Sequence, residues 1–261
     1  MALKDYQARV MSHRKIAHLT YELVLEETGI IRGKGEDKGP FGAPSPGQFV
    51  NLVVPDFYLR RPFSVADYSD GKLVLIYKIL GQGTKAMANR LEEGQTLSVL
   101  SPLGNGFSLV DAEKPLLIGG GVGVPPMYSL AKALKAKGQA PRIAMGFKTA
   151  DEGFYEAAFR DLGLEVQVAT EDGSKGTKGF VTQILEEAYK DGDYVYCCGP
   201  MPMLEAIYKL DLADGQYSFE ERMGCGMGAC MGCSHKVKNY PLGSKRICKE
   251  GPVFRTEEIL W

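Results

Sequence analysis

Residues 115–126 read Pro-Leu-Leu-Ile-Gly-Gly-Gly-Val-Gly-Val-Pro-Pro, and this stretch decides how the middle of the chain folds. Its first residues predict a buried β-strand, and its two prolines suit the first turn of a helix. Beyond it, apolar residues recur at the spacing of one helix face: Met127, Leu130, Ala131 and Leu134. A strand, a glycine loop and a helix in this order are typical of dinucleotide binding, because a helix N-terminus offers free N–H groups to a phosphate. Gly120, Gly121 and Gly123 are therefore candidate cofactor contacts, although glycines in such a turn also serve tight packing.

Downstream of this stretch, segments of strand and helix character alternate. Three further strands are predicted, at residues 142–147, 164–169 and 194–198. The alternation predicts an α/β domain with a parallel sheet over residues 111–212, whose ligands bind in a crevice at the carboxyl ends of the strands. The last strand ends at Cys198, Gly199 and Pro200, which we therefore expect to face that crevice.

The C-terminal region, residues 213–261, is irregular and rich in cysteine and glycine. Cys225, Cys230 and Cys233 are separated by four and then two residues, and Cys248 follows fifteen residues later. This spacing is that of plant-type [2Fe–2S] ferredoxins, and interleaved glycines let a loop approach a cluster closely. A four-cysteine zinc site more often combines two C-x2-C pairs, and disulfides need an oxidising compartment. We therefore predict that these four cysteines ligate a [2Fe–2S] cluster.

The N-terminal region has short apolar segments separated by turns that contain glycine or proline, which predicts a small β-barrel or sandwich. Within it lies the sequence Arg60-Arg61-Pro62-Phe63-Ser64. A double arginine fixed by a proline can present a guanidinium to a pyrophosphate, and the serine can hydrogen-bond a ring nitrogen. A solvated pair of arginines beside a strand is the competing interpretation.

The chain has 261 residues, a net charge of −1 and 44% apolar residues, an ordinary globular composition. The small net charge implies no polyanionic partner such as a nucleic acid. The first residues lack the apolar segment of a signal peptide, and no run reaches the roughly 18 apolar residues of a membrane span. We therefore expect a cytoplasmic protein without membrane contact. His13 and His18 are expected at the surface, with no role in site chemistry.

The order of an Arg-Pro-x-Ser β domain and a glycine-loop α/β domain resembles the ferredoxin–NADP reductase superfamily. With the cysteine motif added, the whole chain is similar to the electron-transfer subunits of NAD-dependent, class 1B dihydroorotate dehydrogenases. The resemblance implies a β-barrel FAD-binding domain at residues 1–110, an NAD-binding domain at residues 111–212 and a small [2Fe–2S] domain at residues 213–261. The residues that match the family's FAD contacts are Arg61, Pro62, Phe63, Ser64, Ile76, Tyr77, Lys78, Gly83 and Thr84. Cys198, Gly199 and Pro200 match its nicotinamide-side motif.

The resemblance also implies a function. The chain would pass electrons between NAD and the FMN of a dihydroorotate dehydrogenase catalytic subunit, through FAD and the cluster, in pyrimidine biosynthesis. The implied assembly is a heterotetramer of two plus two subunits. No acid–base pair suited to substrate chemistry is recognisable, so no catalytic residue is predicted in this chain. Two other interpretations stay open: an NAD(P)H-oxidising subunit of another multisubunit reductase, hydrogenase-type or ferredoxin-linked, and a non-enzymatic redox sensor.

Overall fold

The computed structural model describes residues 4–32, 40–112, 115–190, 193–212 and 214–261. The strands are β1 (Lys4–Ala17), β2 (Thr20–Arg32), β3 (Phe49–Leu52), β4 (Arg61–Ser69), β5 (Lys72–Lys78), β6 (Thr96–Leu103), β7 (Leu116–Gly120), β8 (Arg142–Phe147), β9 (Val166–Thr170), β10 (Thr177–Lys178), β11 (Val195–Cys198), β12 (Gly215–Ser218), β13 (Ser234–Lys236), β14 (Ser244–Arg246) and β15 (Val253–Arg255). The α-helices are α1 (Gln82–Arg90), α2 (Val124–Ala136), α3 (Glu156–Asp161), α4 (Val181–Ala188) and α5 (Met201–Tyr208).

The first six strands close into a barrel in the order β1-β2-β5-β4-β3-β6. Alternate residues of each strand face the interior, as the period of a β-strand requires. Leu23 and Leu25 of β2 and Val50 and Leu52 of β3 meet there in one apolar core. The sequence left a barrel and a sandwich open, and the structure is a barrel.

The second sheet has the order β10-β9-β8-β7-β11-β12-β15, and its strands run parallel except β15. All five residues of β7 are buried, which is typical of a parallel strand covered on both faces. Residues of α2 pack on one face, and residues of α4 and α5 pack on the other. The predicted α/β fold is confirmed. None of the helices in the described residues has the length and apolar character needed to span a bilayer.

The C-terminal region joins both other parts of the molecule. β12 and β15 lie within the predicted third domain, yet both hydrogen-bond into the second sheet. The cysteines lie between them, and one buried cluster contains Phe49 of the barrel, Ile118 of β7, Cys233 and Cys248. The three predicted domain boundaries stay a prediction, and Ala213, the first residue of the third domain, lies outside the described residues.

Polar contacts tie the barrel to the α/β sheet. Lys132 of α2 pairs with Asp67 of β4 at 2.7 Å, and Lys78 of β5 pairs with Glu152 at 2.7 Å. The Tyr155 hydroxyl lies 3.1 Å from a Glu22 carboxylate oxygen. These contacts fix β4 and β5 against the crevice at the carboxyl ends of the parallel strands.

Candidate functional site

The two arginines of the motif, Arg60 just before β4 and Arg61 at its start, have different surroundings. The Arg60 guanidinium donates to the Asp5 carboxylate at 2.7 Å and to the Ser98 hydroxyl at 2.8 Å. The Arg61 guanidinium, in contrast, donates to the carbonyls of Leu59 at 2.6 Å and Arg60 at 3.4 Å, and no carboxylate pairs with it among the described residues. Arg60 therefore stabilises the barrel, and Arg61 keeps donors available for a phosphate.

Gly83 lies directly against the Arg61 guanidinium. A Cβ at Gly83 would stand only 2.7 Å from Arg61 Nε, so glycine leaves the space that this contact needs. α1 begins here, and the N–H groups of its first turn have no partner within the helix. The Thr84 hydroxyl accepts hydrogen bonds from the N–H groups of Leu80 and Gly81, at 3.0 and 3.2 Å, and so closes the turn. A guanidinium beside a free helix N-terminus fits the pyrophosphate of FAD.

Most of the other predicted FAD-binding residues use their side chains for contacts within the protein. Ile76 packs in the core shared with α2, and Lys78 forms the ion pair with Glu152. Tyr77 lies in the barrel, with its ring centroid 5.7 Å from that of Phe63. A flavin contact from Ile76 or Lys78 would therefore come from the main chain.

Pro62 and Ser64 lie on the outer side of β4 and are half-buried. The Ser64 hydroxyl has no hydrogen-bond partner within the described residues. It is therefore free to bind a ring nitrogen, as the sequence predicts.

His13 contradicts the expectation that it is a surface residue without a role. Its ring is half-buried and stacks with Tyr21 and Tyr77, at centroid distances of 5.3 and 6.0 Å. Nδ1 lies 3.1 Å from the Leu91 carbonyl at the end of α1, and Nε2 lies 2.8 Å from the Tyr77 hydroxyl. Burial lowers the pKa of His13, although the Leu91 hydrogen bond opposes this. A neutral ring can donate from Nδ1 to the carbonyl and accept at Nε2 from the hydroxyl, and so tie α1 to β5.

The glycines after β7 have two different roles. A Cβ on Gly123 would overlap the Cys198 carbonyl, and a Cβ on Gly120 would overlap the Met203 side chain. Gly121 has φ +52° with open space around it, so it serves the turn itself. Tight packing therefore requires glycine at both Gly120 and Gly123, and their contact with a cofactor through the main chain stays a prediction. The same packing brings the N-terminus of α2 against Cys198, Gly199 and Pro200.

Two functional candidates in this crevice, Ser218 and Glu220, were missed in the sequence. Burial raises the pKa of the Cys198 thiol to about 12, with a further contribution from the Glu220 charge, while a hydrogen bond with Ser218 opposes the shift. Glu220 is open to water on one side, but the surrounding protein raises the pKa of its carboxyl. The crevice thus combines a neutral thiol, a hydroxyl and a carboxyl. The available signal was a Ser-x-Glu sequence at the end of a buried strand.

The four predicted cluster cysteines associate in two pairs. The N–H of Cys230 donates to the Cys225 sulfur and the N–H of Cys248 donates to the Cys233 sulfur, both at 3.4 Å. Within the described residues, no three or more cysteine, histidine or carboxylate side chains converge as they would around a single metal ion. A tetrahedral zinc site needs four ligands around one point, whereas a cluster with two irons spreads four thiolates over two metal positions. That these four cysteines are the cluster ligands stays a prediction.

Backbone N–H groups surround the thiols. The Cys225 sulfur accepts from the N–H groups of Met227, Ala229 and Cys230 at 3.3–3.5 Å. Burial opposes ionisation of Cys225, but these bonds outweigh it and lower the pKa of the thiol to about 6. The Cys248 sulfur accepts from the N–H of Gly228 at 3.1 Å, although burial and Cys233 raise the pKa of that thiol to about 12. Donors around sulfur favour thiolates, the form that ligates iron.

The loop geometry depends on glycine and on one arginine. Gly226 and Gly228 have φ values of +68° and +84°, which favour glycine. Arg246 donates to the Gly228 carbonyl at 2.5 Å and pairs with Glu250. The His235 ring packs 4.7 Å from that of Phe219.

A cavity of about 400 Å³ lies farther along the crevice, where β8 and β9 end. Its walls include Phe147, Phe154, Thr170 and Lys175. β9 is three strands from β11, or about 14 Å at the usual strand spacing. The cavity is therefore distant from Cys198 but within reach of an extended dinucleotide.

Comparisons with known proteins agree with this geometry. Residues 220–260 match the family model of the iron–sulfur cluster binding domain of dihydroorotate dehydrogenase B, and residues 117–209 match that of the oxidoreductase NAD-binding domain. The chain is 42% identical to a dihydroorotate dehydrogenase B (NAD+) electron transfer subunit of Caldanaerobacter subterraneus subsp. tengcongensis, over 98% of both chains. It is 42% identical to the same subunit of a Geobacillus strain, over 99% of both chains.

Solved structures resemble the chain as well. A chain of an NADH-dependent reduced ferredoxin–NADP oxidoreductase matches with a TM-score of 0.84 and 28% identity, over 97% of this chain and 90% of that one. Phthalate dioxygenase reductase shares the fold, with a TM-score of 0.64 and 22% identity over 79% of this chain and 64% of that one.

Proposed function

This chain belongs to the family of dihydroorotate dehydrogenase B (NAD+) electron transfer subunits, and from this premise we propose how its residues perform that role. Its cofactors are FAD, a [2Fe–2S] cluster and NAD. When bound, FAD exchanges two electrons with NAD and single electrons with the cluster. The partner is a catalytic subunit of dihydroorotate dehydrogenase B. That it contains FMN, that two copies of each subunit assemble, and that the complex is cytoplasmic are parts of the proposal.

Arg61 and the first turn of α1, at Gly83 and Thr84, bind the FAD pyrophosphate. Arg61 has donors without an acidic partner beside a helix N-terminus, while Arg60 is occupied by Asp5. Ser64 donates to the flavin ring from the outer face of β4.

NAD lies along the carboxyl ends of the parallel strands. Gly121 and the N-terminus of α2 face its phosphates, since a helix N-terminus favours negative charge. Cys198 and Glu220 border the nicotinamide end, and the cavity at β8 and β9 takes the adenosine end. Burial keeps the Cys198 thiol protonated, so it positions the ring without competing as a nucleophile.

Cys225, Cys230, Cys233 and Cys248 would hold the [2Fe–2S] cluster. The observation that carries the whole proposal is continuity between this site and the barrel. Phe49, which pairs with Ser64 of the flavin motif, lies in the same buried cluster as Cys233 and Cys248. Asn51, which pairs with Pro62 of the same motif, also lies against Gly226 of the cysteine loop. We propose that the flavin and the cluster exchange electrons directly across this contact.

The purified chain tests this proposal directly. We expect one FAD, two irons and two acid-labile sulfides per chain, and bleaching of the flavin by NADH. The chain alone should reduce artificial dyes with NADH but should not oxidise dihydroorotate until an FMN-containing catalytic subunit is added. Stoichiometric zinc without labile sulfide would refute the cluster assignment. Absence of flavin bleaching would favour the redox-sensor interpretation.

A ferredoxin-linked role is the second candidate, and the likeness to the ferredoxin–NADP oxidoreductase chain is the observation that favours it. Co-purification of the tagged chain from its source cell separates the two. A catalytic subunit that reduces NAD with dihydroorotate supports the first role, and a ferredoxin-reducing complex supports the second.

A further inference from the structure

Arg246, the last residue of β14, contacts both loops that carry the candidate cluster ligands. Its carbonyl accepts hydrogen bonds from the N–H groups of residues 249–251, at 2.9–3.2 Å, and so closes the turn that contains Cys248. Its side chain bonds to Gly228, in the loop between Cys225 and Cys230. One arginine therefore links two segments that are far apart in the C-terminal sequence.

All three nitrogens of the Arg246 guanidinium are engaged. Nε donates to one oxygen of the Glu250 carboxylate at 2.9 Å, and Nη2 donates to the other oxygen. Nη1 donates to the Gly228 carbonyl at 2.5 Å. The main-chain N–H of Arg246 also donates to the Glu250 carboxylate, at 2.8 Å. Because the guanidinium is planar, the two bonds to Glu250 fix the position of the third nitrogen at Gly228.

The carbonyl that Arg246 holds belongs to the peptide unit between Gly228 and Ala229. The N–H of the same unit is that of Ala229, which donates to the Cys225 sulfur at 3.3 Å. A trans peptide unit is planar, and its carbonyl and N–H point in opposite directions. Fixing the carbonyl therefore fixes the direction of the N–H toward the sulfur. A cationic donor on the carbonyl also polarises that N–H, which strengthens its bond to sulfur.

Gly228 has the conformational freedom that makes such an anchor necessary. Its φ is +84°, a value that favours glycine, and glycine has more accessible conformations than any other residue. Its own N–H donates to the Cys248 sulfur at 3.1 Å. The orientation of this single glycine thus affects donors to two thiols, one on each loop.

We infer that Arg246 is a positioning residue for the cluster, which acts through the peptide unit between Gly228 and Ala229. By directing N–H groups toward the sulfurs of Cys225 and Cys248, it raises the reduction potential of the bound cluster. The reason is that hydrogen bonds to the sulfurs stabilise the reduced form, which carries one more negative charge. The inference rests on the ligand set in the proposed function, and it assigns a role to a residue outside the cysteine motif.

The test measures the midpoint potential of the cluster in the holoprotein, its iron and sulfide content, and hydrogen exchange of residues 225–230. Arg246→Met removes the guanidinium and keeps an unbranched side chain. We expect reduction of the cluster to become about tenfold less favourable, the scale of one hydrogen bond, which is about 59 mV for a one-electron couple. Hydrogen exchange of residues 225–230 should rise even though the cluster is retained.

Arg246→Lys separates the hydrogen bonds from the charge. Lysine keeps the positive charge but lacks the planar fork that bonds to Glu250 and Gly228 at once. Its cluster potential should therefore stay below that of wild type. If Arg246→Met does not retain the cluster, this variant provides the test by itself.

Arg255→Met is the matched control. Arg255 lies on β15 of the same region, its side chain is exposed, and its guanidinium lies 3.9 Å from a Glu257 carboxylate oxygen. This variant should leave the cluster potential and the hydrogen exchange of residues 225–230 unchanged.

The outcomes separate this inference from the proposed function. A wild-type potential in a cluster-containing Arg246→Met variant overturns the inference. So does a wild-type potential in Arg246→Lys, because charge alone would then set the potential. An equal fall of the potential in Arg255→Met has the same meaning. A wild-type chain without a cluster refutes the proposed ligand set instead, and wild type is therefore assayed first.

Discussion

The barrel and the cysteine segment, residues 219–252, hold their cofactor sites in opposite ways. The barrel is a closed set of hydrogen-bonded strands with a filled apolar interior, and Arg61 and α1 lie on its rim. The cysteine segment contains one pair of strands, β13 and β14, of three residues each, and its thiols are held by loop N–H groups. The difference indicates that the barrel carries its own stability, while the cysteine segment depends on its cluster, as small metal sites commonly do.

Cys248→Ser should produce the largest effect and should separate the two regions. Losing a ligand removes the cluster, so dihydroorotate-dependent NAD reduction with the catalytic subunit should fall to background. Transfer from NADH to dyes should persist, because dyes take electrons from the flavin. Hydrogen exchange should rise in residues 219–252 and stay unchanged in the barrel.

The control for this variant is Cys197→Ala, which alters a buried cysteine outside the ligand set. It should retain the cluster absorbance. FAD content is measured first in both variants. If a Cys248→Ser variant that contains FAD but no cluster still shows full turnover, electrons do not pass through the cluster between the catalytic subunit and FAD.

Arg61→Ala and Arg60→Ala test whether the two adjacent arginines of the barrel have different roles. Loss of the phosphate contact of Arg61 should weaken FAD binding by about 1.5–3 kcal/mol with little change in the stability of FAD-free protein. Arg60→Ala should leave FAD affinity nearly unchanged but lower the unfolding free energy by about 1–3 kcal/mol, because the partly buried Asp5 loses its cationic partner and keeps only the Ser98 hydroxyl. Fluorescence titration with FAD and urea unfolding measure the two quantities. Similar effects of both variants on FAD affinity and on stability would mean that the two arginines do not have separate roles.

Gly83→Ala should have a smaller effect on the same site. The added methyl group forces the Arg61 side chain to move, and an off-rotamer shift of this kind costs about 0.5–1.5 kcal/mol. FAD affinity should fall accordingly in the same titration. Gly81→Ala is the control in the same loop, because nothing lies within 4 Å of a Cβ at that position. Equal losses for both variants would point to loop stiffness rather than to Arg61.

The pH dependence due to His13 should be the smallest effect. Its folded-state pKa lies below the ordinary 6.5, so the unfolded chain binds the proton first as pH falls. The stability that neutral His13 provides is therefore complete above about pH 7.5 and decreases toward pH 5.5, by at most about 1.4 kcal/mol per pH unit for one group. Urea unfolding of wild type and His13→Phe at both pH values measures the difference. If the unfolding free energies of wild type and His13→Phe change in parallel with pH, His13 does not contribute to the pH dependence of stability.

Local pattern predicted candidates for much of the site because some of the functional groups are close in sequence, and these site residues stay predictions. The spacing of Cys225, Cys230 and Cys233 reflects the reach of one loop around one cluster. The glycine loop before α2 also predicted a strand-to-helix turn, and tight packing requires glycine at Gly120 and Gly123 there, while their cofactor contacts stay a prediction. Ser218 and Glu220 were missed because their significance depends on Cys198, which a different strand supplies.

The sequence by itself predicted the parallel sheet, the cysteine ligands and the family resemblance. Each of these depends on the spacing of residues that are close together in the chain. Only the tertiary structure decided which of two adjacent arginines is free, since Asp5 and Ser98 occupy Arg60 from distant strands. It also decided that His13 supports Tyr77 and that Asn51 lies between the flavin strand and the cysteine loop. Strand pairing brings together residues that are far apart in the chain, and no local pattern records those contacts.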